Sequence, residues 1–145
     1  MYDHMLIPTD GTERSQRAIA QGVRLAKVLK ARVTALMVTW PVPPLVIEGI
    51  AAPIANEELE QNAKDYAVRC LSVATEAATV ADVRCEAIHL KHDQPWEAII
   101  QAAEQRGCDL IVMASHGRAG VSAVVLGSET NKVLTHSKIP VLVSR

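Results

Sequence analysis

Two short segments of this 145-residue chain have the residue types of a phosphate-binding loop. Ala114-Ser115-His116-Gly117 follows an apolar run that predicts a buried strand, and Gly127-Ser128 follows Gly117 after nine intervening residues, where a helix is predicted to begin. Glycines let backbone N–H groups approach an anion closely, and the first turn of a helix offers N–H groups without an intrahelical acceptor. The spacing therefore predicts a site for a nucleotide phosphate.

An acidic turn near the N-terminus supplies a second group. Pro8-Thr9-Asp10 ends a short apolar run, and Asp10 is the carboxylate that we expect near a metal ion such as Mg²⁺. Each of these residues also has a structural alternative. Asp10 can cap the turn into the next helix, Ser128 with Glu129 can be an ordinary helix start, and Gly117 can serve a turn with positive φ.

Other chemistries find less support in the sequence. The lysine of a Gly-x-x-x-x-Gly-Lys-Ser/Thr loop is absent, so we expect a binding module, with slow Mg²⁺-dependent hydrolysis as the alternative. Ser115-His116 lies outside a Gly-x-Ser-x-Gly elbow, because Met113 occupies its first place, and His116 is expected to hydrogen-bond a phosphate or a neighbouring loop. Cys85 and His89 share a strand face but His92 lies beyond the strand, which argues against a metal site.

Composition narrows the classes of partner and compartment. The formal net charge is −1, which gives no electrostatic reason to expect nucleic acid or an anionic membrane as a partner. No apolar run is long enough for a membrane-spanning helix, and a strand is predicted before any signal-like segment. The chain holds 3 cysteines in apolar or strand-like surroundings, so we expect reduced thiols, a cytoplasmic location and a single domain over residues 1–145.

The candidate site residues follow strands in an alternating β and α pattern. Apolar, β-branched runs predict strands, and apolar positions at helical spacing predict helices between them. The predicted strands are His4–Pro8, Arg32–Val38, Val83–His89, Leu110–Met113 and Ile139–Val143. Such alternation is typical of an α/β protein with a parallel, doubly wound sheet, in which ligands bind outside the carboxyl ends of the strands.

Capping residues and prolines predict the connections. The second helix is predicted to follow a cap at Asn56, the third to begin at Pro95 and end at Gly107, and the fourth to run from Ser128 to Thr135. The segment Trp40 to Ala55 is rich in proline and predicts a long irregular loop. This loop has three open interpretations: a flap over the nucleotide, an apolar surface for a partner, or a plain connection.

Four segments together resemble the universal stress protein family, and the resemblance covers the whole chain. They are Ile7–Thr12, Asp109–Arg118, Leu126–Ser128 and Ile139–Val143. The ATP-binding branch of that family carries glycine, two residues, glycine, nine residues, glycine and then serine or threonine. This chain follows the pattern from Gly117 onward and has Ala114 in place of the first glycine. The resemblance implies a stress-response regulatory protein that binds ATP.

The same resemblance implies the architecture and the contacts of the site. The expected fold is a five-stranded parallel sheet in the order 3-2-1-4-5 with helices on both faces, and the expected ligand is ATP, AMP or ADP, with Mg²⁺ as a companion. By position, Pro8, Thr9 and Asp10 match a turn that contacts adenosine, and Val38 matches a backbone contact to adenine. The implied contacts at the ribose and phosphates are Met113, Ala114, His116, Gly117, Arg118, Gly127, Ser128, Glu129 and Thr130.

Two residues depart from the family pattern. Ala114 adds a methyl group where the backbone would approach the ligand, and the Glu129 carboxylate lies in the turn that would meet the phosphates. If Glu129 repels the phosphates, the protein would be a nucleotide-free scaffold, and substitution by alanine would restore binding.

The last predicted strand, Ile139 to Val143, would form an exposed apolar edge of the sheet. Such an edge favours pairing with a second copy of the chain. The resemblance implies the same homodimer, through antiparallel pairing of that strand, together with an unknown protein partner.

Overall fold

The structure, a computed structural model, describes residues 1–116 and 126–145. The elements in chain order are β1 (His4–Pro8), α1 (Glu13–Leu29), β2 (Arg32–Thr39), β3 (Val46–Ile47), β4 (Ile50–Ala51), α2 (Pro53–Ala81), β5 (Cys85–Lys91), α3 (Pro95–Gln105), β6 (Leu110–Ala114), α4 (Ser128–His136) and β7 (Val141–Ser144). The main sheet has 5 parallel strands in the order β5-β2-β1-β6-β7. This order confirms the expected 3-2-1-4-5, since β5, β6 and β7 are the third, fourth and fifth predicted strands.

Helices cover both faces of this sheet. Met5 and Ile7 of β1 point to one face and pack in a core cluster with α1 and α2, whereas Leu6 points to the other face and packs with α3 and α4. Side chains alternate along a strand, so a strand that is buried on both sides must be apolar at nearly every position. This explains the uninterrupted apolar runs from which the strands were predicted.

α1 approaches the sheet most closely at Gly22. A Cβ atom added there would collide with Cδ1 of Ile7 and come within 3.5 Å of Cγ1 of Val112. Both neighbours are fully buried, so the close contact of helix and sheet depends on a residue without a side chain.

The start of α2 and the start of the strand that follows it differ from the prediction. The helix begins at Pro53, and Asn56 is not its cap, because Asn56 Oδ1 accepts a hydrogen bond from the Leu45 N–H at 2.9 Å. At the other end, Asp82 adopts the left-handed conformation with φ of 56°, and the Val83 N–H donates to the Ala78 carbonyl at 2.8 Å. This closing turn takes Val83 out of the next strand, so β5 begins at Cys85.

The segment from Trp40 to Ala55 was predicted to be wholly irregular, and this is wrong. β3 and β4 pair antiparallel around Glu48 and Gly49, whose φ angles are 51° and 79°. Two consecutive positive φ angles are typical of the tight turns that join hairpin strands. We refer to residues 46–51 as the β3–β4 hairpin.

The last strand is shorter at its start than predicted. Ser137 Oγ donates to the Ile139 carbonyl at 2.8 Å and accepts from the Ile139 N–H at 3.0 Å. This local turn occupies the backbone groups of Ile139, so β7 begins at Val141 and extends to Ser144.

The third and fourth helices agree closely with the prediction. α3 begins at Pro95 and is followed by Gly107, whose φ of 66° requires little strain in a glycine. α4 begins at Ser128 and extends one residue further than expected, to His136. Among the helices that the structure describes, none combines the length and apolar character needed to span a bilayer.

Candidate functional site

The carboxyl ends of β1, β2 and β6 lie side by side at one edge of the sheet. β1 is the central strand, with Pro8 opposite Leu36 of β2 and Leu6 opposite Ile111 of β6. The chain passes from β1 to β2 in one direction along the sheet and reaches β6 and β7 in the other direction. This reversal next to β1 is the position where doubly wound sheets bind ligands.

The turn after β1 is fixed by its own polar groups. The Thr9 N–H donates to the Leu36 carbonyl at 2.8 Å, and Thr9 Oγ1 lies 3.0 Å from Ser15 Oγ. Asp10 Oδ1 accepts hydrogen bonds from the Thr12 N–H at 3.0 Å and from the Thr12 hydroxyl at 2.6 Å. Thr12 is the N-cap of α1. Asp10 therefore has the capping role given as its structural alternative, and this role holds its carboxylate at the end of β1.

α2 supports this turn from behind. The Tyr66 hydroxyl donates to the Asp10 carbonyl at 3.4 Å. Between them, Gly11 has a φ of 81°, and a Cβ atom there would lie 2.6 Å from both Tyr66 Oη and Cys70 Sγ. Gly11 is therefore required both by its conformation and by space. Residue spacing does not predict this contact of Tyr66, because Tyr66 and Asp10 are 56 residues apart in the chain.

Two hydrogen bonds fix the start of α4 at the end of β6. Thr130 Oγ1 donates to the Ala114 carbonyl at 2.8 Å, and the Gly127 N–H donates to the Ser115 carbonyl at 2.7 Å. The Ser115 N–H in turn donates to the Ser144 carbonyl at 2.8 Å, which continues the ladder between β6 and β7. The first turn of α4 thus lies at the same edge of the sheet as the turn after β1.

The start of α4 has the character of an anion site. Its N-cap is Gly127, which has no side chain to accept hydrogen bonds, and Ser128 is the exposed first residue of the helix and not its cap. The N–H groups of a first helical turn have no intrahelical acceptor and carry the positive end of the helix dipole. An anion placed there would satisfy them.

His116 is a second polar group at this end of β6. The side chain is 8% exposed, and its Nδ1 lies 3.1 Å from Ser115 Oγ. Within the part of the chain that the structure describes, its buried Nε2 has no hydrogen-bond partner. An unsatisfied buried polar atom costs about 1–3 kcal/mol, so this nitrogen would gain from a ligand acceptor or donor. The residues present therefore fit an anionic ligand.

The Glu129 carboxylate is engaged by α3. Its Oε2 accepts a hydrogen bond from the Trp96 N–H at 2.9 Å, and its Oε1 lies 3.6 Å from Lys132 Nζ. The N-cap of α3, Gln94, makes no side-chain capping bond. The charge of Glu129 is thus balanced by Lys132 and by the dipole of α3, which weakens the repulsion of phosphates expected from the sequence. Residue spacing does not predict the bond between Trp96 and Glu129, because the two residues are 33 positions apart.

The remaining predicted contacts are in or next to the sheet. Val38 and Met113 both pack against the core cluster of α3 and α4, so a contact with a ligand would use their backbone or the accessible part of Val38. Gly117 and Arg118 lie outside the described residues.

A metal ion that accompanies a nucleotide would take ligands from Asp10 and from the phosphates. Among the residues that the structure describes, no three His, Cys, Asp or Glu side chains are grouped to hold a metal. Mg²⁺ is commonly bound by one or two carboxylates together with substrate phosphates, which is the arrangement that Asp10 would offer. The histidines have other partners: His89 Nε2 lies 2.7 Å from Thr39 Oγ1, and His92 Nδ1 accepts from the Gln94 N–H at 2.9 Å.

These features define a doubly wound α/β protein in which α4 begins, with N–H groups suited to an anion, at the reversal point of the sheet. The universal stress protein family model matches residues 1–145, and the chain belongs to that family. A universal stress protein of Thermus aquaticus is 32% identical to it over 145 residues, which is 100% of each chain. The resemblance stated from the motifs is thereby confirmed.

Solved structures of family members share the fold. A universal stress protein in complex with cAMP has a TM-score of 0.72 and 23% identity, covering 99% of this chain and 97% of that one. The universal stress protein of Archaeoglobus fulgidus in complex with dAMP has a TM-score of 0.67 and 16% identity, covering 99% and 98%. At these identities the similarity concerns the fold.

Proposed function

We propose that this protein binds an adenine nucleotide, with ATP as the expected ligand, and acts as a regulatory module of the stress response. The observation that carries the proposal is the attachment of the α4 start to the end of β6, through Gly127 and Thr130. The N–H groups that could donate hydrogen bonds to phosphates thereby lie at the same edge of the sheet as the Thr9-Asp10 turn. The cAMP and dAMP complexes of structurally similar family members support an adenine nucleotide.

Each predicted residue has a role in this proposal. Adenosine lies against Pro8, Thr9, Asp10 and the backbone of Val38. The phosphates face the first turn of α4, and Asp10 contributes a ligand to Mg²⁺ when the metal accompanies them. The ribose and phosphate contacts are Met113, Ala114, His116, Gly117, Arg118, Gly127, Ser128, Glu129 and Thr130.

Regulation by binding is favoured over turnover. The sequence has no P-loop lysine to stabilise the charge that develops on a transferred phosphoryl group. The cytoplasm is the proposed location, since Cys70, Cys85 and Cys108 are free thiols, as expected in a reducing compartment.

We also propose a homodimer that forms through β7, within the predicted strand Ile139 to Val143. β7 is an edge strand, paired only with β6 in the described sheet, and Leu142 is 43% exposed. A second copy would satisfy the open backbone groups of this edge. Light scattering should give the mass of two chains, and Val143→Pro, which removes a backbone N–H, should shift the mass toward one chain.

The nucleotide proposal is tested by a substitution that fills the anion site without unfolding α4. Gly127 has φ of −58° and ψ of 149°, which any residue adopts, and aspartate is a favoured N-cap whose carboxylate accepts the first-turn N–H groups. Gly127→Asp should therefore preserve or raise stability while it weakens ATP binding at least tenfold in calorimetric titration. The matched control is Gln101→Glu, which adds the same charge at an exposed position of α3. Equal ATP affinity in wild type and Gly127→Asp would refute the proposed site.

A further inference from the structure

The largest aliphatic side chains of the β3–β4 hairpin and the start of α2 are exposed. Val46, Ile47, Ile50 and Ile54 are 56%, 58%, 72% and 80% exposed, and we call these four residues the hairpin patch. Trp40, the residue after β2, is also exposed, at 66%. Ile47 and Ile50 pair across the hairpin, so their side chains lie on one face and form exposed apolar surface of the kind typical of interaction sites.

The backbone of the hairpin patch is held in place although its side chains are not packed. The Ala52 N–H donates to the Leu45 carbonyl at 2.9 Å, and Asn56 Oδ1 accepts from the Leu45 N–H at 2.9 Å. All four strand residues of the hairpin are exposed, and Glu48 in its turn has a positive φ without being glycine. A two-stranded hairpin gains little stability by itself. The apolar side chains of this hairpin are exposed to solvent and do not belong to the core.

Carboxylates border the patch. Between Arg32 and Lys64 the chain has no lysine or arginine, but it has Glu48, Glu57, Glu58 and Glu60. Glu60 pairs with Lys91 at 3.4 Å. In residues 1–116 and 126–145, no ion pair joins the other three glutamates to a cation, and all three are exposed. The hairpin patch is therefore an apolar surface with an acidic border.

An open recess next to the hairpin combines both properties. It has a volume of about 380 Å³ and is lined by Ala52, Pro53, Ile54, Ala55 and Glu58. Apolar walls with one carboxylate suit the side chain of lysine or arginine, whose aliphatic stem packs on apolar surface while its charged group reaches an acid.

We propose that the hairpin patch binds a basic amphipathic segment of another protein. Its apolar side chains pack on Ile47, Ile50 and Ile54, and its lysines or arginines face Glu48 and Glu58. An anionic membrane would be repelled by these carboxylates, and two copies of the patch would bring like charges together. The proposed dimer uses β7, whereas the hairpin follows β2, which lies on the other side of β1 in the sheet.

The test uses a defined peptide of 18 residues, with leucine and lysine in amphipathic helical spacing and a fluorescent label. Fluorescence anisotropy with the full-length protein should show saturable binding. The same peptide with glutamate in place of every lysine should bind at least tenfold more weakly. Vesicles of phosphatidylcholine, added to the protein alone, should not change the fluorescence of Trp40 and Trp96.

Two pairs of variants separate apolar from charged contributions. Ile50→Ser with Ile54→Ser, and separately Glu48→Gln with Glu58→Gln, should each weaken peptide binding at least tenfold. The matched controls on α2 are Val80→Ser, at a position 89% exposed, and Glu76→Gln, also at an exposed position. Each control should change the affinity for the peptide less than twofold. All four positions of the two pairs are on the surface, and circular dichroism confirms that each variant is folded.

Several results would overturn the proposal. They are unchanged affinity in either pair of patch variants, equal binding of the glutamate peptide, and absence of binding by the lysine peptide. Partition of the protein to neutral vesicles would instead identify a lipid surface as the occupant. A dimer that dissociates on Ile50→Ser with Ile54→Ser would identify a second copy.

Discussion

Glu129 should contribute to stability by capping a helix other than its own. Its carboxylate accepts the Trp96 N–H at 2.9 Å, and the α3 N-cap Gln94 makes no side-chain capping bond. Glu129→Ala removes the acceptor and leaves a donor in the first turn of α3. Glu129→Gln keeps an acceptor oxygen of the same reach and removes the charge.

The structure gives the expected magnitude. Loss of a capping side chain costs about 0.5–2 kcal/mol, and a hydrogen bond to a charged group is worth about 1.5–3 kcal/mol. The Glu129 side chain is 38% exposed, so water screens its charge and replaces part of the lost hydrogen bond. The loss should therefore be near the lower end of the range for a hydrogen bond to a charged group. The exposed pair with Lys132 adds only a few tenths of a kcal/mol, on the order of 0.2–0.5. We expect Glu129→Ala to lower the free energy of unfolding by about 1–2 kcal/mol and Glu129→Gln by less than about half of that.

Urea unfolding followed by tryptophan fluorescence measures this difference, with Glu104→Ala on the exposed side of α3 as the control. The same variants test the charge argument: Glu129 would meet the phosphates through its backbone N–H, which alanine retains, so ATP affinity should change less than threefold in Glu129→Ala. A stability equal to wild type would refute the capping role. A tenfold or larger gain in ATP affinity would instead show that the carboxylate repels the phosphates despite its partners.

Three further predictions concern the core. Gly22→Ala should destabilise by about 1 kcal/mol in urea unfolding, since overpacking costs about 1–3 kcal/mol and the gain in helix propensity returns about 1. Burial lowers the pKa of His4, so below about pH 6.5 the unfolded chain binds a proton more readily than the folded protein. Stability should fall from pH 7.5 to 5.5, and less steeply in His4→Gln. Burial raises the pKa of the Cys108 thiol to about 11 and also raises that of Cys85, but Cys85 is partly exposed whereas Cys70 and Cys108 are buried, so a thiol reagent at pH 8 should modify Cys85 first.

The sheet could be predicted because strands that are buried on both faces have largely apolar residues at consecutive positions of the sequence. The runs from His4 to Pro8 and from Leu110 to Met113 are apolar at consecutive positions, and both are strands. The strand boundaries that were predicted wrongly depend on local turns. The closing turn at Asp82 makes β5 begin later in the sequence than predicted, and the hydrogen bonds of the Ser137 side chain do the same for β7. The β3–β4 hairpin was missed because Glu48-Gly49 lacks the asparagine or aspartate usual at such turns.

Residue spacing predicted the parts of the candidate site that are close in sequence. The Thr9-Asp10 turn and the helix start at Ser128 both lie at the carboxyl edge of the sheet. Their supports come from elsewhere in the chain, Tyr66 against the turn and Trp96 against Glu129, and such contacts leave no local pattern. The segments of the candidate site could therefore be located from the sequence, whereas the side chains that hold them in place required the fold.

The most direct measurement is the identification of any small molecule carried by the protein. The chain is purified without added nucleotide and denatured, and the released material is analysed by chromatography and mass spectrometry, with Gly127→Asp prepared in parallel. We expect ATP, or its product AMP or ADP, from wild type and none from the variant. A wild-type protein that releases no nucleotide and also fails to bind added ATP would contradict the account and favour a nucleotide-free scaffold.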